Sequence, residues 1–272
     1  MALQIVLLPG LLCDDAVWSD QRAAFGAFAN SGPGADVTAD RFIADRFIAD
    51  RVVPGCVVPD YAMRDSIGAM ADHALDCAHG ERLLVAGHSM GGRVALEMFR
   101  RAPQRVAGLA LLDTGFQARA AGDAGEHERA QRAALLELAR MQGMRAMGEQ
   151  WAPGMVHPDR LDSAVYRAIL DMIARSTPAK FEAQIRALLD RPDAGALLET
   201  IDCPTLLVCG REDRWSPLAR HEAMQARIRG SVLRVIEHSG HMSTMEQPQA
   251  VSEALVEWVK AVVERETRER AR

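Results

Sequence analysis

Residues 82–102, RLLVAGHSMGGRVALEMFRRA, place a serine on a very short connection between a strand and a helix. The run RLLVAG is compact, apolar and closed by glycine, which predicts a buried strand. The run GRVALEMFRRA puts Val94, Met98 and Arg101 on one face and stops before an Ala-Pro pair, which predicts a helix. Ser89 therefore stands on a sharp strand-to-helix turn.

Short aliphatic runs recur along the chain, and helical patterns separate them. The predicted strands cover residues 3–8, 57–59 or slightly more, 83–87, 106–113, 205–210 and 232–237. The predicted helices cover residues 15–28, 66–78, 91–101, 217–227 and 249–263, and we expect a frayed, solvated end at the charged tail after them. This alternation predicts an α/β fold: a six-stranded, mostly parallel sheet with helices on both faces.

Only helical patterns occur between about residue 115 and residue 200. We interpret this stretch as a helical cap over the carboxyl edge of the sheet, so that residues 1–114 and 201–272 form the core and residues 115–200 the cap. Apolar, adaptable side chains in the cap are candidates for an acyl pocket, although most are expected to be core contacts: Met141, Met144, Met147, Met155, Met172 and Trp151.

The segment RFIADRFIAD, residues 41–50, is a perfect tandem repeat of five residues. Five is odd, so such an insertion within a paired strand would turn every later side chain to the other face. The duplication is therefore expected in a loop, where extra length costs little.

Composition limits the class of protein. The 272 residues carry a net charge of −5 and their arginines are dispersed, which gives nucleic-acid binding no electrostatic support. The five cysteines form no CxxC pair and are expected to be reduced thiols in a cytoplasmic protein. No signal peptide, membrane span, metal-ligand spacing, phosphate loop or dinucleotide fingerprint is recognisable. We expect a monomer or homodimer that needs no metal or cofactor.

The turn around Ser89 suits nucleophilic catalysis. A serine hydroxyl needs a base to remove its proton, and a tight turn presents it clear of its neighbours. Gly87 and Gly91 remove the side chains that would collide there, and the following helix aims the N–H of Met90 at an oxyanion. A second donor is expected from LLPGLLCDD, where Leu11 follows a Pro-Gly turn, although a plain strand-end turn is the alternative.

A general base and an acid that orients it are expected downstream, in the order serine, acid, histidine. Asp213 follows the strand in LLVCGREDRWSP, and His241 follows a strand in IEHSGHMSTMEQP. Both lie just beyond the carboxyl ends of strands, where α/β sheets place their sites. His238 is the competing base, and Asp113 at the end of LALLDT is the competing acid.

These segments together resemble the α/β-hydrolase superfamily: the Pro-Gly turn, GHSMGG, LLDT, GRED and SGH. The similarity is closest to small, capped bacterial esterases and enol-lactonases. It implies Ser89, Asp213 and His241 as a catalytic triad with Leu11 and Met90 as oxyanion donors. The chain departs from the family pattern in two ways. It lacks the strand pair that precedes the first strand in many members, so we expect a six-stranded sheet. The loop after the first strand has Pro9-Gly10 where many members have a His-Gly pair.

The expected function is hydrolysis of a small carboxylic ester or lactone through an acyl-enzyme. Two alternatives stay open: a lyase or C–C hydrolase acting on a carboxylate-bearing metabolite, and a ligand-sensing signalling protein on the same scaffold. Arg93 lies one helical turn beyond Ser89. Its guanidinium either binds a substrate carboxylate through two hydrogen bonds or forms an ion pair at the surface or with the cap. Trp151 is a candidate substrate contact.

Overall fold

The computed structural model describes residues 3–29 and 52–271, in which six parallel strands form one sheet. Their spatial order is β2-β1-β3-β4-β5-β6. The strands are β1 (Leu3–Leu8), β2 (Val52–Val57), β3 (Arg82–His88), β4 (Val106–Leu112), β5 (Thr205–Gly210) and β6 (Val232–Ile236). The predicted α/β fold with a six-stranded parallel sheet is confirmed.

Helices follow the strands and cover the sheet. In chain order they are α1 (Ser19–Ala29), α2 (Ile67–Cys77), α3 (Met90–Arg101), α4 (Asp123–Trp151), α5 (Ala164–Ala174), α6 (Pro178–Leu189), α7 (Gly195–Leu198), α8 (Leu218–Gln225), α9 (Ser243–Glu246) and α10 (Pro248–Arg270). The helices α2 and α3 pack together, as do α1 and α10. Every residue of β4 is buried, as expected for a central strand covered on both faces.

Capping residues and apolar stripes explain where these helices form. The hydroxyl of Ser66 accepts a hydrogen bond from the amide of Ala69 at the start of α2. Ser163 and Thr177 cap α5 and α6 in the same way. In α10 the buried face carries side chains at helical spacing, namely Val251, Leu255, Trp258, Val259 and Val262.

The second strand lies upstream of its predicted position. It covers Val52–Val57, and only its last residue falls within the predicted range 57–59. It is an edge strand that contains Pro54 and Gly55, the latter at φ +88°, and its pairing with β1 slips between Leu3 and Ile5. A proline is tolerated at an edge because one side of the strand needs no partner. The RFIAD duplication lies outside the described residues.

The prediction of a frayed end after Val263 is wrong, because α10 continues to Arg270. Ion pairs four residues apart support the extension, including Arg265 with Glu269 at 2.7 Å and Arg270 with Glu266 at 3.6 Å. No helix in the described ranges combines the length and apolarity that crossing a bilayer requires.

Helices α4 to α7 all lie between β4 and β5, and α4 packs against both α5 and α6. Helix α4 is interrupted at Gly143, whose φ of +87° is not helical. The chain leaves α4 at Trp151 and runs over the loop that follows β6. This helical segment therefore borders the carboxyl edge of the sheet.

Candidate active site

Ser89 joins β3 to α3 in a backbone conformation that few side chains adopt. Its φ of 54° and ψ of −116° lie outside the favoured regions for residues other than glycine. Its N–H donates to the carbonyl of Leu112 at 2.9 Å, and its own carbonyl accepts from the hydroxyl of Thr114 at 2.6 Å. These bonds to the end of β4 and the residues after it hold the strained turn in place.

The two flanking glycines are required by close backbone contacts. A Cβ at Gly87 would come within 2.2 Å of the carbonyl oxygen of Gly91, and a Cβ at Gly91 within 2.1 Å of that of Leu8. Both contacts are with backbone atoms, which cannot rotate away. The helix can therefore start directly at the strand end, with Ser89 at the carboxyl edge of the sheet.

The structure brings Ser89, His241 and Asp213 into one hydrogen-bonded chain. The Oγ of Ser89 lies 2.7 Å from His241 Nε2, and His241 Nδ1 lies 2.8 Å from Asp213 Oδ2. The other oxygen of Asp213 accepts from the backbone amides of Trp215 and Ser216, each at 2.8 Å. The carboxylate is thus fixed from both sides while it orients the imidazole.

Charge reinforces this geometry. Burial alone would raise the pKa of Asp213, but the adjacent His241 and the two backbone amides outweigh it and lower that pKa. Burial would lower the pKa of His241, but Asp213, with smaller contributions from Asp113 and Glu246, raises it. The pair therefore favours an ionised aspartate beside a histidine that readily accepts a proton.

The competing histidine lies elsewhere. His238 is exposed at the end of β6, and its ring contacts His157 with the centroids 5.8 Å apart. The structure therefore brings His241, and not His238, to Ser89.

Asp113, the competing acid, is fully buried but does not bond to His241. Its oxygens accept from the amide of Gly210 at 2.9 Å and from Ser243, whose hydroxyl and amide both point to it. Burial, together with the charge of Asp213, raises the pKa of Asp113 to about 8. Asp113 thus ties the strand that precedes Asp213 to the loop that carries His241.

Glu246 is a buried carboxylate that sequence reasoning did not identify as part of the site. It accepts from the amides of Gly240 at 2.9 Å, Met242 at 3.3 Å and His157 at 2.7 Å. The first two flank His241, and the third belongs to the helical segment. Its position five residues after His241 is the only sequence signal that could have indicated it.

The two predicted oxyanion donors border the same cavity as Ser89. Leu11 and Met90 both line it, Leu11 after β1 and Met90 as the first residue of α3. A Cβ at Gly10 would come within 3.2 Å of the Ser89 Cβ and 3.0 Å of His88 Nδ1, so the β1 loop packs directly against the turn. The structure thus brings both backbone segments next to the serine.

The cavity has a volume of about 650 Å³ and an aromatic wall. Trp151 lines it and stacks on Trp215 with the ring centroids 5.0 Å apart, and Phe181 lies beside Trp151. Met155 also lines the cavity. The other methionines proposed for a pocket do not: Met144, Met147 and Met172 are buried in the core, and Met141 is 75% exposed.

The cavity wall is also rich in arginine. Besides Arg93, which the sequence indicated, it contains Arg132, Arg191 and Arg220, with Glu128 as the acidic residue among its lining residues. These side chains come from separate parts of the chain, so no local sequence pattern predicts that they lie together.

Asp113, Cys209 and Asp213 place possible metal-ligand atoms within 4.8 Å of one another, beneath the site. Each group already has hydrogen-bond partners, and the Cys209 thiol donates to the carbonyls of Gly210 and Ser216. Burial and the two carboxylates raise the pKa of Cys209, which disfavours the thiolate that metals bind. We assign these groups to the polar core that supports the site.

One large class of hydrolases has this arrangement. In these proteins a parallel α/β sheet holds a serine, a histidine and an aspartate at its carboxyl edge, hydrogen-bonded in that order. Residues 5–254 match the model of the alpha/beta hydrolase family, and the chain belongs to that family. The resemblance inferred from the motifs is therefore confirmed.

Curated relatives and solved structures carry esterase names. Two pimeloyl-[acyl-carrier protein] methyl ester esterases of Neisseria meningitidis are each 28% identical to this chain. The match to the serogroup A protein covers 75% of this chain and 62% of that protein. The match to the serogroup C protein covers 74% of this chain and 75% of that protein. The match thus spans less than two thirds of the serogroup A protein. These relatives support the class of carboxylic-ester hydrolases.

Structural neighbours agree with this family. A thermophilic esterase from Thermogutta terrifontis, solved with malate bound, has a TM-score of 0.75 and 28% identity over 96% of this chain and 91% of its own. The enol-lactonase from Burkholderia xenovorans LB400 has a TM-score of 0.74 at 18% identity, over 95% and 92% of the two chains. The second likeness concerns the fold alone.

Proposed function

We propose that the protein hydrolyses a small carboxylic ester or lactone through an acyl-enzyme formed on Ser89. The observation that carries this proposal is the hydrogen-bonded chain from Ser89 through His241 to Asp213, with spacings of 2.7 and 2.8 Å, at the wall of a cavity large enough for a small ester. The esterase names of the relatives support the same reaction class.

The geometry supports the following mechanism. Ser89 Oγ attacks the carbonyl carbon while His241 Nε2 takes its proton, and Asp213 stabilises the resulting imidazolium. The backbone amides of Leu11 and Met90 hold the oxyanion. When the tetrahedral intermediate collapses, the C–O bond to the alcohol breaks and His241 returns the proton to the leaving alkoxide. Water then repeats the sequence and releases the acid and free Ser89.

The test combines turnover with covalent labelling. Wild type is assayed on p-nitrophenyl acetate, p-nitrophenyl butyrate and a small lactone, and is treated with a fluorophosphonate that phosphonylates activated serines. We expect turnover and a single label on Ser89. Ser89→Ala should remove both, with a loss in kcat on the order of 10⁶.

Ser231→Ala is the matched control, because Ser231 lies in the loop before β6 and its hydroxyl donates to the carbonyl of Ile228, away from the cavity lining. It should keep both activity and label. Retained hydrolysis in Ser89→Ala, or labelling at a different serine, would contradict the proposal.

A second candidate is elimination or C–C cleavage in a carboxylate-bearing metabolite, which the same three residues can catalyse. The observation that favours it is Arg93 in the cavity wall, one helical turn beyond Ser89. Product analysis separates the two candidates. Hydrolysis of an ester yields an acid and an alcohol, elimination adds no water to its products, and hydrolytic C–C cleavage yields an acid and a product with a new C–H bond in place of the alcohol.

A further inference from the structure

The cavity beside Ser89 is positive although the chain is negative. The net charge of the chain is −5, whereas the residues that line the cavity include four arginines and one glutamate. Arginine stays protonated in proteins, so this concentration of cations cannot be relieved by loss of a proton. Positive charge focused in a cleft attracts anions.

Two of the four arginines share one carboxylate, which neutralises one of their two charges. Arg191 binds Glu128 through two hydrogen bonds of 2.8 and 2.9 Å, and Arg132 binds the same carboxylate at 2.9 Å, one turn along α4. Glu128 is half-buried, and although burial opposes it, these arginines lower its pKa to about 2. Both arginines therefore have an ion-pair partner without a ligand.

The other two arginines have no carboxylate partner among the described residues. Arg93 donates to the carbonyl of Gln117 at 2.8 Å, and Arg220 donates to that of Trp215 at 3.2 Å. Each guanidinium carries five N–H donors, so most of their hydrogen-bonding capacity is unused by the protein. Both side chains are half-buried, and burial, with Arg191 and Arg220 nearby, lowers the pKa of Arg93.

The two guanidinium groups converge on one point. The Nη2 of Arg93 and the Nη1 of Arg220 each lie 3.1 Å from the position that a Cβ on Gly115 would occupy. They are therefore at most twice that distance apart, and an anion could bridge them. Gly115 directly follows Thr114, whose hydroxyl bonds to the carbonyl of Ser89, and both arginines line the same cavity as that serine.

We propose that Arg93 and Arg220 form an anion subsite for a carboxylate of the substrate, so that the preferred substrates are esters or lactones with a second, free carboxylate. The two planar forks can bind the carboxylate oxygens from two sides, which adds orientation to affinity. The aromatic wall of Trp151 and Trp215 then packs on the apolar part of the molecule. The subsite rests on the proposed function, because it orients an ester toward Ser89.

The experiment compares two esters of equal acyl length, monomethyl glutarate and the neutral methyl valerate. In wild type we expect kcat/KM to favour monomethyl glutarate, and added salt to reduce that preference. Arg93→Met, Arg220→Met and the double variant should reduce the ratio of the two kcat/KM values, by about 10- to 100-fold in the double variant. Arg229→Met, an exposed arginine outside the cavity, is the control and should leave the ratio unchanged.

A binding measurement separates this proposal from the hydrolase mechanism. Calorimetry on the Ser89→Ala variant should detect binding of monomethyl glutarate but not of methyl valerate. When the variant also carries Arg93→Met and Arg220→Met, binding of monomethyl glutarate should be lost. Arginine-dependent binding without turnover in wild type would keep the subsite and refute the hydrolase. Equal wild-type kcat/KM for both esters, equal losses on both in the double variant, or no binding of monomethyl glutarate would overturn the subsite.

Discussion

Replacing Asp213 by asparagine tests the proposed triad at its most constrained member. Asp213 uses one oxygen for the amides of Trp215 and Ser216 and the other for His241 Nδ1. An asparagine must keep its carbonyl oxygen toward the two amides, because its NH₂ group would otherwise face other donors. Its NH₂ then points at His241 and forces Nδ1 to act as an acceptor.

The imidazole proton is therefore driven to Nε2, which faces the Ser89 hydroxyl 2.7 Å away. In this tautomer the histidine cannot remove the serine proton. We expect kcat to fall by about 10⁴, the loss seen when a triad histidine is held in the wrong tautomer. This corresponds to about 5 kcal/mol of lost transition-state stabilisation.

The assay is steady-state hydrolysis of p-nitrophenyl acetate, with thermal melting to verify that the variant folds. Asp113→Asn is the matched control, because Asp113 is equally buried, lies in the same polar core and makes no bond to His241. Its effect on kcat should be far smaller. If Asp113→Asn is the more damaging change, or if Asp213→Asn keeps most of the activity, the assignment of the acid is refuted.

Three further outcomes are expected. Gly91→Ala should abolish soluble expression or strongly lower Tm, because its Cβ would stand 2.1 Å from the Leu8 carbonyl. A Cβ at Gly26 would meet nothing within 4 Å in residues 3–29 and 52–271, so Gly26→Ala should be tolerated, and equal melting of the two variants would refute the steric argument. In Glu246→Gln the side-chain oxygen can still accept from the amides of Gly240 and Met242, but the NH₂ group then faces the amide donor of His157. The free energy of unfolding should therefore fall by about 2 kcal/mol, a Tm drop of roughly 4–8 °C that calorimetry can check against wild type. Because His241 must be neutral to act as a base and its pKa is raised above 6.5, kcat/KM should fall as the pH decreases through a value above 6.5; an inflection below 6.5 would contradict this environment.

Local signals predicted those parts of the molecule that depend on neighbours in sequence. The apolar runs gave β1, β3, β4, β5 and β6 within a residue or two, and the glycines around Ser89 indicated the turn because the steric conflict is local. The strand-end positions of Asp213 and His241 were readable because parallel strands bring their carboxyl ends to one edge.

The differences between the sequence-based predictions and the structure come from tertiary contacts. The second strand was predicted at residues 57–59 or slightly more, but it begins at Val52, because an edge strand accommodates Pro54 and Gly55. The charged tail after Val263 was read as frayed, but ion pairs and the docked half of α10 extend the helix. The remaining members of the site are contributed singly by distant elements: Glu246 by α9, Arg191 by the residues after α6 and Arg220 by α8. No periodicity can bring such residues together, because only the packed structure does so.

The loop of His241 is anchored to the helical segment as well as to the core. The amide of His241 donates to the carbonyl of Met155 at 2.6 Å, and Glu246 joins the amide of His157 to those around His241. Any displacement of this segment from the sheet must either break these bonds or carry the imidazole away from Ser89. If these bonds hold, opening the cavity also removes the base from Ser89, and the serine of an opened molecule is then not activated.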